Sequence, residues 1–266
     1  NAENAAMIDT EFSDRVKTVG ITDQKSSGRC WLFTGLNVLR ADAIERHNLG
    51  NFTFSQSYCF FYDQLEKANL FLQGVIDCAG KPMDDERVMF FFKNPINDGG
   101  TFCGVADLGE KYGLVPMEVM PETYSADNTS RMARLVSSKL REYGLELRKM
   151  VAQKASAAKL KERKTAMLGT IYHILALTIG EPVKLFQYAF KDKNGKQIGK
   201  PKTYTPKEFY NATVGHPLNG TFIMAMNDPR REYYKTYEVE YDRHTYDGHN
   251  WKYINLPMED IAKLAI

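Results

Sequence analysis

The sequence predicts a mixed chain in which helices come first and strands last. Apolar residues recur at spacings of three and four in most segments up to Ile179. After Gly180-Glu181-Pro182 the pattern gives way to short strand-like runs. Between two of these runs lies Asp192-Lys193-Asn194-Gly195, where Asn-Gly is a strong hairpin signal.

The polar stretch up to Gly20 is expected to wrap the surface, and residues 23–29 are turn-rich without helical periodicity. A helix begins near Cys30, because Leu32, Leu36, Leu39 and Ala43 make one apolar face. Ser27 or Gly28 is its expected cap. A second, aromatic-rich helix covers about 57–72 behind Ser55, and a third covers about 84–93 and stops at Asn94-Pro95. The loop Asn97-Asp98-Gly99-Gly100 leads to a shorter helix that Gly113 terminates. Two long helical patterns follow, at about 125–150 and 153–179. Residues 184–190 and 196–203 flank the hairpin turn. Thr205-Pro206-Lys207-Glu208 is a capping box with proline at the first helical position. Strands are expected at 221–226, 233–241 and 251–255, and Pro257 opens a last helix.

A chain of 266 residues can bury a substantial core. Its 43% hydrophobic and 26% charged content are ordinary for a soluble globular protein. A net charge of +2 offers no global argument for nucleic-acid or membrane binding. The four cysteines, Cys30, Cys59, Cys78 and Cys103, are too few for a disulfide scaffold and lack zinc-site spacing. Free thiols in a reducing compartment are expected, with no metal and no cofactor. The apolar runs are too short for a membrane span or signal peptide. The cytoplasm is the expected location; the alternative is export, with a leader removed before Asn1. Four N-x-Ser/Thr matches, at Asn51, Asn128, Asn211 and Asn219, mean little without evidence of secretion.

The most informative stretch is Gln24-Lys25-Ser26-Ser27-Gly28-Arg29-Cys30-Trp31. A cysteine in the first turn of a helix faces unpaired backbone N–H groups and the positive end of the helix dipole, which favour the nucleophilic thiolate. Gly28 allows a tight turn beside the sulfur. Gln24, on the incoming loop, can curl back so that its amide and the Cys30 N–H form an oxyanion hole. The bland alternative is a buried, inert cysteine.

Residues 24–40, QKSSGRCWLFTGLNVLR, resemble the active-site segment of the bleomycin hydrolase and aminopeptidase C family of papain-like cysteine peptidases. Ser27 and Arg29 depart from the commoner papain signature and favour this branch. Asn97-Asp98-Gly99-Gly100, Glu110-Lys111-Tyr112-Gly113, Pro121-Glu122 and Asn227-Asp228-Pro229 also match. The resemblance implies an α+β, papain-like fold with Cys30 as nucleophile and Gln24 as oxyanion-hole donor. It further implies substrate contacts at Asp98, Gly99, Gly100 and Trp31, with Trp31 packed beside the nucleophile. Residues 1–118 would form the helical domain, 119–220 a basic helical insertion with a hairpin, and 221–266 the start of a barrel domain. By the same resemblance the protein is an aminopeptidase that releases N-terminal residues from peptides by thiolate acyl transfer, and it assembles as a homo-oligomer, a hexamer.

Of the five histidines, His47, His173, His216, His244 and His249, none stands in the family's His-Ala context, and no Asn-Ser-Trp occurs. None is therefore assigned a catalytic role. The expectation is that the C-terminal part of the barrel is missing from this sequence and that the isolated chain is inactive. Basic residues outnumber acidic ones between Asp127 and Lys164. This is either a solvated helical face or a surface for weak nucleic-acid binding. A catalytically silent papain-like protein or fragment that binds nucleic acid or a partner through these basic helices is the alternative to the peptidase reading.

Overall fold

The computed structural model describes residues 20–264, so the N-terminal stretch expected to wrap the surface lies outside them. The helices are α1 (Cys30–His47), α2 (Gln56–Asp77), α3 (Glu86–Lys93), α4 (Phe102–Tyr112), α5 (Tyr124–Asp127), α6 (Ser130–Ala152) and α7 (Ala157–Ile179). They are followed by β1 (Phe186–Tyr188), β2 (Lys202–Tyr204), α8 (Pro206–Thr213), β3 (Met224–Met226), β4 (Thr236–Val239), β5 (Trp251–Asn255) and α9 (Met258–Leu264). Helices first and strands last is the order the periodicity predicts.

Helix α2 is the centre of the packing and touches α1, α3, α4, α6 and α7. Its aromatic residues explain this: Tyr58, Phe60, Phe61 and Phe71 are all buried. Ser55 caps it as expected, with its Oγ accepting the Tyr58 N–H at 3.0 Å. The helix runs past the expected end at Leu72 because Gly74 lets α3 close in. A Cβ there would stand 2.2 Å from the Phe91 ring.

The expected cap of α1 is corrected. Arg29, not Ser27 or Gly28, occupies the cap position, and no side chain caps the helix. The Ser27 hydroxyl instead donates to Gln24 O at 2.6 Å, and the Gly28 N–H is taken by Asp98. The first long basic helix also starts later than expected, at Ser130. The chain breaks at Asn128 because Asp127 O accepts the Ser26 N–H at 2.9 Å, tying this corner to the turn before Cys30.

The apolar faces of α6 and α7, including Val136, Leu140, Ile171 and Leu175, belong to the same buried cluster as α1 and α2. Arg141 donates to the carbonyls of Phe92 and Lys93 at the end of α3, and Arg148 reaches those of Cys78 and Lys81. Arg163 pairs with Glu146 across the two helices. Arg141 and Arg148 thus satisfy carbonyls at helix ends and loops, and Arg163 joins the two helices.

The β1–β2 hairpin is antiparallel, with Phe186 opposite Tyr204, and Gly195 in its turn has φ +76°. The capping box of α8 forms as expected, with Thr205 and Glu208 reciprocally bonded. Phe209 of α8 is fully buried among Phe52, Phe54, Phe186, Tyr188, Phe190 and Tyr204. In the last sheet β5 is central, parallel to β3 and antiparallel to β4. Strand β4 is shorter than expected because Tyr234 and Tyr241 adopt positive φ, 61° and 63°, on either side of it. The loop after β4 folds back onto the helices. Tyr246 N donates to Glu66 at 2.9 Å, and His249 N to Asp107 at 2.9 Å. Among the described residues no helix is long and apolar enough to cross a membrane.

Phe209 is the shared partner of six aromatic rings, so Phe209→Ala is expected to destabilise the protein by about 3–5 kcal/mol in denaturant titration. A loss below about 1 kcal/mol would show that the hairpin and α8 add little to the core.

Candidate active site

Cys30 is the first residue of α1 and is exposed, while Cys59, Cys78 and Cys103 are buried. Burial pushes the thiols of Cys59 and Cys103 up to about 12, helped by Asp63 and Asp107 respectively, which keeps both protonated and unreactive. Cys30 alone has the exposure a nucleophile needs.

Its neighbours are held from both sides. Arg29 is 0% exposed, lies 2.8 Å from Glu122 and 3.9 Å from Asp127, and stands 5.1 Å from the centres of both the Phe33 and Phe60 rings. The contact with Glu122 is an ion pair without a well-aligned hydrogen bond, since neither Arg29 Nη2 nor Glu122 Oε2 has a hydrogen-bond partner. Arg29 Nε donates to Ser27 Oγ at 3.0 Å. On the other side, Trp31 is 8% exposed and donates from Nε1 to Asp98 O at 2.8 Å.

Asp98 fixes the turn itself. Its Oδ2 accepts the Gly28 N–H at 2.7 Å and the Thr129 hydroxyl at 2.6 Å. A Cβ at Gly28 would lie 2.5 Å from Asp98 Oδ1, so this carboxylate can approach only a glycine. The side chain of Asp98 is thereby committed to the protein rather than to a substrate. Trp31 is likewise a buried support and not an exposed contact. Gly99 is open, with only Asn97 Oδ1 at 3.5 Å from a built Cβ. Gly100 is needed for packing, because a Cβ would meet His244 at 2.2 Å and Trp31 at 2.6 Å.

Gln24 does curl back within the turn that leads to Cys30. Its Nε2 donates to Ser27 O at 2.6 Å, using one of its two N–H groups. The structure therefore gathers Gln24, Cys30, Trp31 and residues 98–100 around one corner.

The histidines are held elsewhere. His216 Nδ1 contacts Val214 O at 2.8 Å, and His249 Nδ1 contacts Asp107 at 2.8 Å. His244 is 1% exposed, and its Nδ1 lies 2.6 Å from Asp63 Oδ1. Among the described residues no histidine is hydrogen-bonded to Cys30. Likewise, no cluster of three or more His, Cys, Asp or Glu side chains among them could hold a metal ion.

Sequence reasoning missed three features: the buried Arg29, the carboxylate of Asp98 on Gly28, and the Asp63–Lys67–His244 cluster. The last had a signal, since Asp63 and Lys67 stand four apart on an otherwise aromatic, buried helix. Arg29 had none, because its charge partners Glu122 and Asp127 and the Phe60 ring lie far along the chain.

The arrangement is that of a papain-like cysteine peptidase: a cysteine opening a helix, beside a glutamine-bearing turn and a Gly-Gly segment. The chain belongs to the Peptidase C1-like family, which it matches over residues 1–266. It is 37% identical over 266 residues to aminopeptidase G of Lactobacillus delbrueckii subsp. lactis, covering 100% of this chain and 60% of that protein. It is 37% identical over 252 residues to human bleomycin hydrolase, covering 92% of this chain and 55% of the relative. The crystal structure of PepW from Lactobacillus rhamnosis HN001 superposes with a TM-score of 0.94 at 34% identity, over 100% of this chain and 59% of that one. The chain thus spans 55–60% of the length of these relatives.

Two predictions follow from the anchoring carboxylates. Asp98→Ala removes the acceptor of two hydrogen bonds and is expected to cost about 1–3 kcal/mol of stability, measured by denaturant unfolding; an unchanged midpoint would contradict the assigned contacts. For Asp63, burial pulls the carboxyl upward, but the charges of Lys67 and His244 and their hydrogen bonds outweigh it and hold it below the usual range. Its stabilisation is therefore complete above the unfolded value of about 3.9 and is lost as pH falls through the lower folded value. The stability gap between the unmodified protein and Asp63→Asn should shrink below about pH 4. A gap that stays constant into stronger acid would contradict this.

Proposed function

We propose that the protein is a cysteine aminopeptidase that releases N-terminal residues from peptides by thiolate acyl transfer. The observation that carries the proposal is the exposed Cys30 at the first position of α1, with Arg29 and Trp31 buried on either side. Membership of the Peptidase C1-like family and relatives named aminopeptidase C, aminopeptidase G and bleomycin hydrolase support it.

In the proposed reaction the Cys30 thiolate attacks the carbonyl carbon of the first peptide bond. The developing oxyanion is stabilised by the Cys30 N–H and the remaining amide N–H of Gln24. Losing one such donor typically costs about 3 kcal/mol of transition-state stabilisation. The amine leaves as the C–N bond breaks and a proton is delivered to it, giving a thioester at Cys30 that water then hydrolyses. An imidazole must supply that proton and activate the water. His244 cannot, being buried and committed to Asp63. We place the imidazole on polypeptide beyond these 266 residues, in the same chain or a second one, consistent with the greater length of the relatives.

The competing reading, nucleic-acid binding through α6 and α7, has less behind it. Arg141, Arg148, Arg163 and Lys164 are already engaged by carbonyls, Glu146 and Gln73. Salt-sensitive retention on DNA that survives replacement of Cys30 would favour it.

Aminoacyl amides with a free α-amine should be hydrolysed by the polypeptide that includes the imidazole. Cys30→Ala should lower kcat by about 10³-fold or more without lowering the unfolding midpoint. Persistent activity in that variant would remove Cys30 from the mechanism. Equal turnover of N-acetylated substrates would replace the aminopeptidase assignment with an endopeptidase one.

A further inference from the structure

Beneath the corner that bears Cys30 lies a buried polar cluster that the reaction does not use. Asp63, on α2, is fully buried, and its carboxylate is shared. Oδ1 faces His244 Nδ1 at 2.6 Å, while Oδ2 accepts from Lys67 Nζ at 2.9 Å and from Gln64 Nε2 at 3.0 Å. A buried carboxylate persists only when such partners offset the loss of water.

Both partners reach on to the same backbone. Lys67 Nζ also donates to Gly99 O at 2.7 Å and to Asn97 O at 3.0 Å. His244 Nδ1 stands on the Asp63 carboxylate, and its Nε2 faces the Thr101 N–H at 3.4 Å. The ring centre lies 4.4 Å from that of Trp31. Ring atoms of His244 also fill the space where a Cβ on Gly100 or Gly104 would stand, at 2.2 and 2.3 Å. Residues 97–101 belong to no helix or sheet, so nothing in a ladder holds them. Asp98 ties them to Gly28, Thr129 and Trp31 on one side, and from behind Lys67 and His244 reach them, both held by the Asp63 carboxylate.

We propose that Lys67 and His244 are positioning residues for substrate binding, which use Asp63 to hold the 97–101 backbone ready to pair with an extended peptide. The proposal rests on the peptidase reading and deepens it. A peptide that docks on a preordered segment does not have to order it, so the support strengthens binding. Once the peptide is bound, the chemistry at Cys30 proceeds as before. Removal of the support should therefore raise KM and leave kcat nearly unchanged. The proposal also explains why a loop after β4, distant in sequence, penetrates to Trp31.

The test uses His244→Asn, which keeps a donor for Asp63 but removes the ring, and the double variant Asp63→Asn, Lys67→Met. The double variant removes donors and charge together, so that no buried carboxylate is stranded if Lys67→Met alone fails to fold. Amide hydrogen exchange is read at 97–104 and, as an internal control, in α6. KM, kcat and the rate of Cys30 alkylation by iodoacetamide are measured on the same samples of the catalytically complete polypeptide. The expected result is exchange at 97–104 faster by about tenfold or more, with α6 unchanged. KM should rise about tenfold while kcat and alkylation stay within about threefold. Exchange at 97–104 like that of the unmodified protein overturns the proposal, as does a fall in kcat at constant KM. Should the unmodified protein cleave no peptide, the peptidase reading fails separately. The exchange measurement then upholds or overturns the positioning by itself.

Discussion

The guanidinium of Arg29, sealed between Phe33 and Phe60 and paired with Glu122, sits one residue before an exposed thiol. That contrast is the constraint on which the rest of the site depends. A chain that buries residues 29 and 31 on two sides of a helix start has little freedom in how it displays residue 30. Desolvating an arginine is costly, and removing one partner of such a pair typically costs about 3–5 kcal/mol. The turn therefore has one strongly preferred arrangement, and the exposed cysteine is the residue it leaves outside.

The carboxylates of Asp98 and Asp63 extend this constraint outward. Asp98 links the nucleophile turn at Gly28 to Thr129, at the start of α6, and its carbonyl receives Trp31. Asp63 links α2 to the loop after β4 through His244. The same loop is pinned again by Glu66 at Tyr246, by Asp107 at His249 and by Lys111 at Asp247. Helices α2 and α4 thus grip the sheet region by polar contacts, while α1, α2, α6 and α7 hold one another by apolar ones. Local order around Cys30 is consequently tied to elements more than two hundred residues further along the chain.

How much of this could be read from residues alone depended on the range of the interactions. The start of α1 at Cys30, the Ser55 cap, the hairpin at Gly195 and the Thr205 capping box were legible because each rests on a few adjacent residues. The turn that carries Gln24 was legible because it is contiguous with the helix start at Cys30. The anchoring of the Asp98 side chain and of Trp31 was not legible, since their partners at Gly28, Thr129 and His244 lie up to 213 residues away. Nothing near His244 in the sequence marks it as buried. Its burial comes from glycines at 100 and 104 that read, in isolation, as turn and helix residues.

The most direct test of the central claim is covalent labelling of the native polypeptide with an N-terminally free aminoacyl chloromethyl ketone, followed by peptide mapping. The account predicts a single adduct, on Cys30, that excess peptide substrate suppresses. Label spread over Cys59, Cys78 or Cys103, or an adduct on Cys30 that substrate leaves unprotected, would contradict Cys30 as the nucleophile of a peptide-binding site.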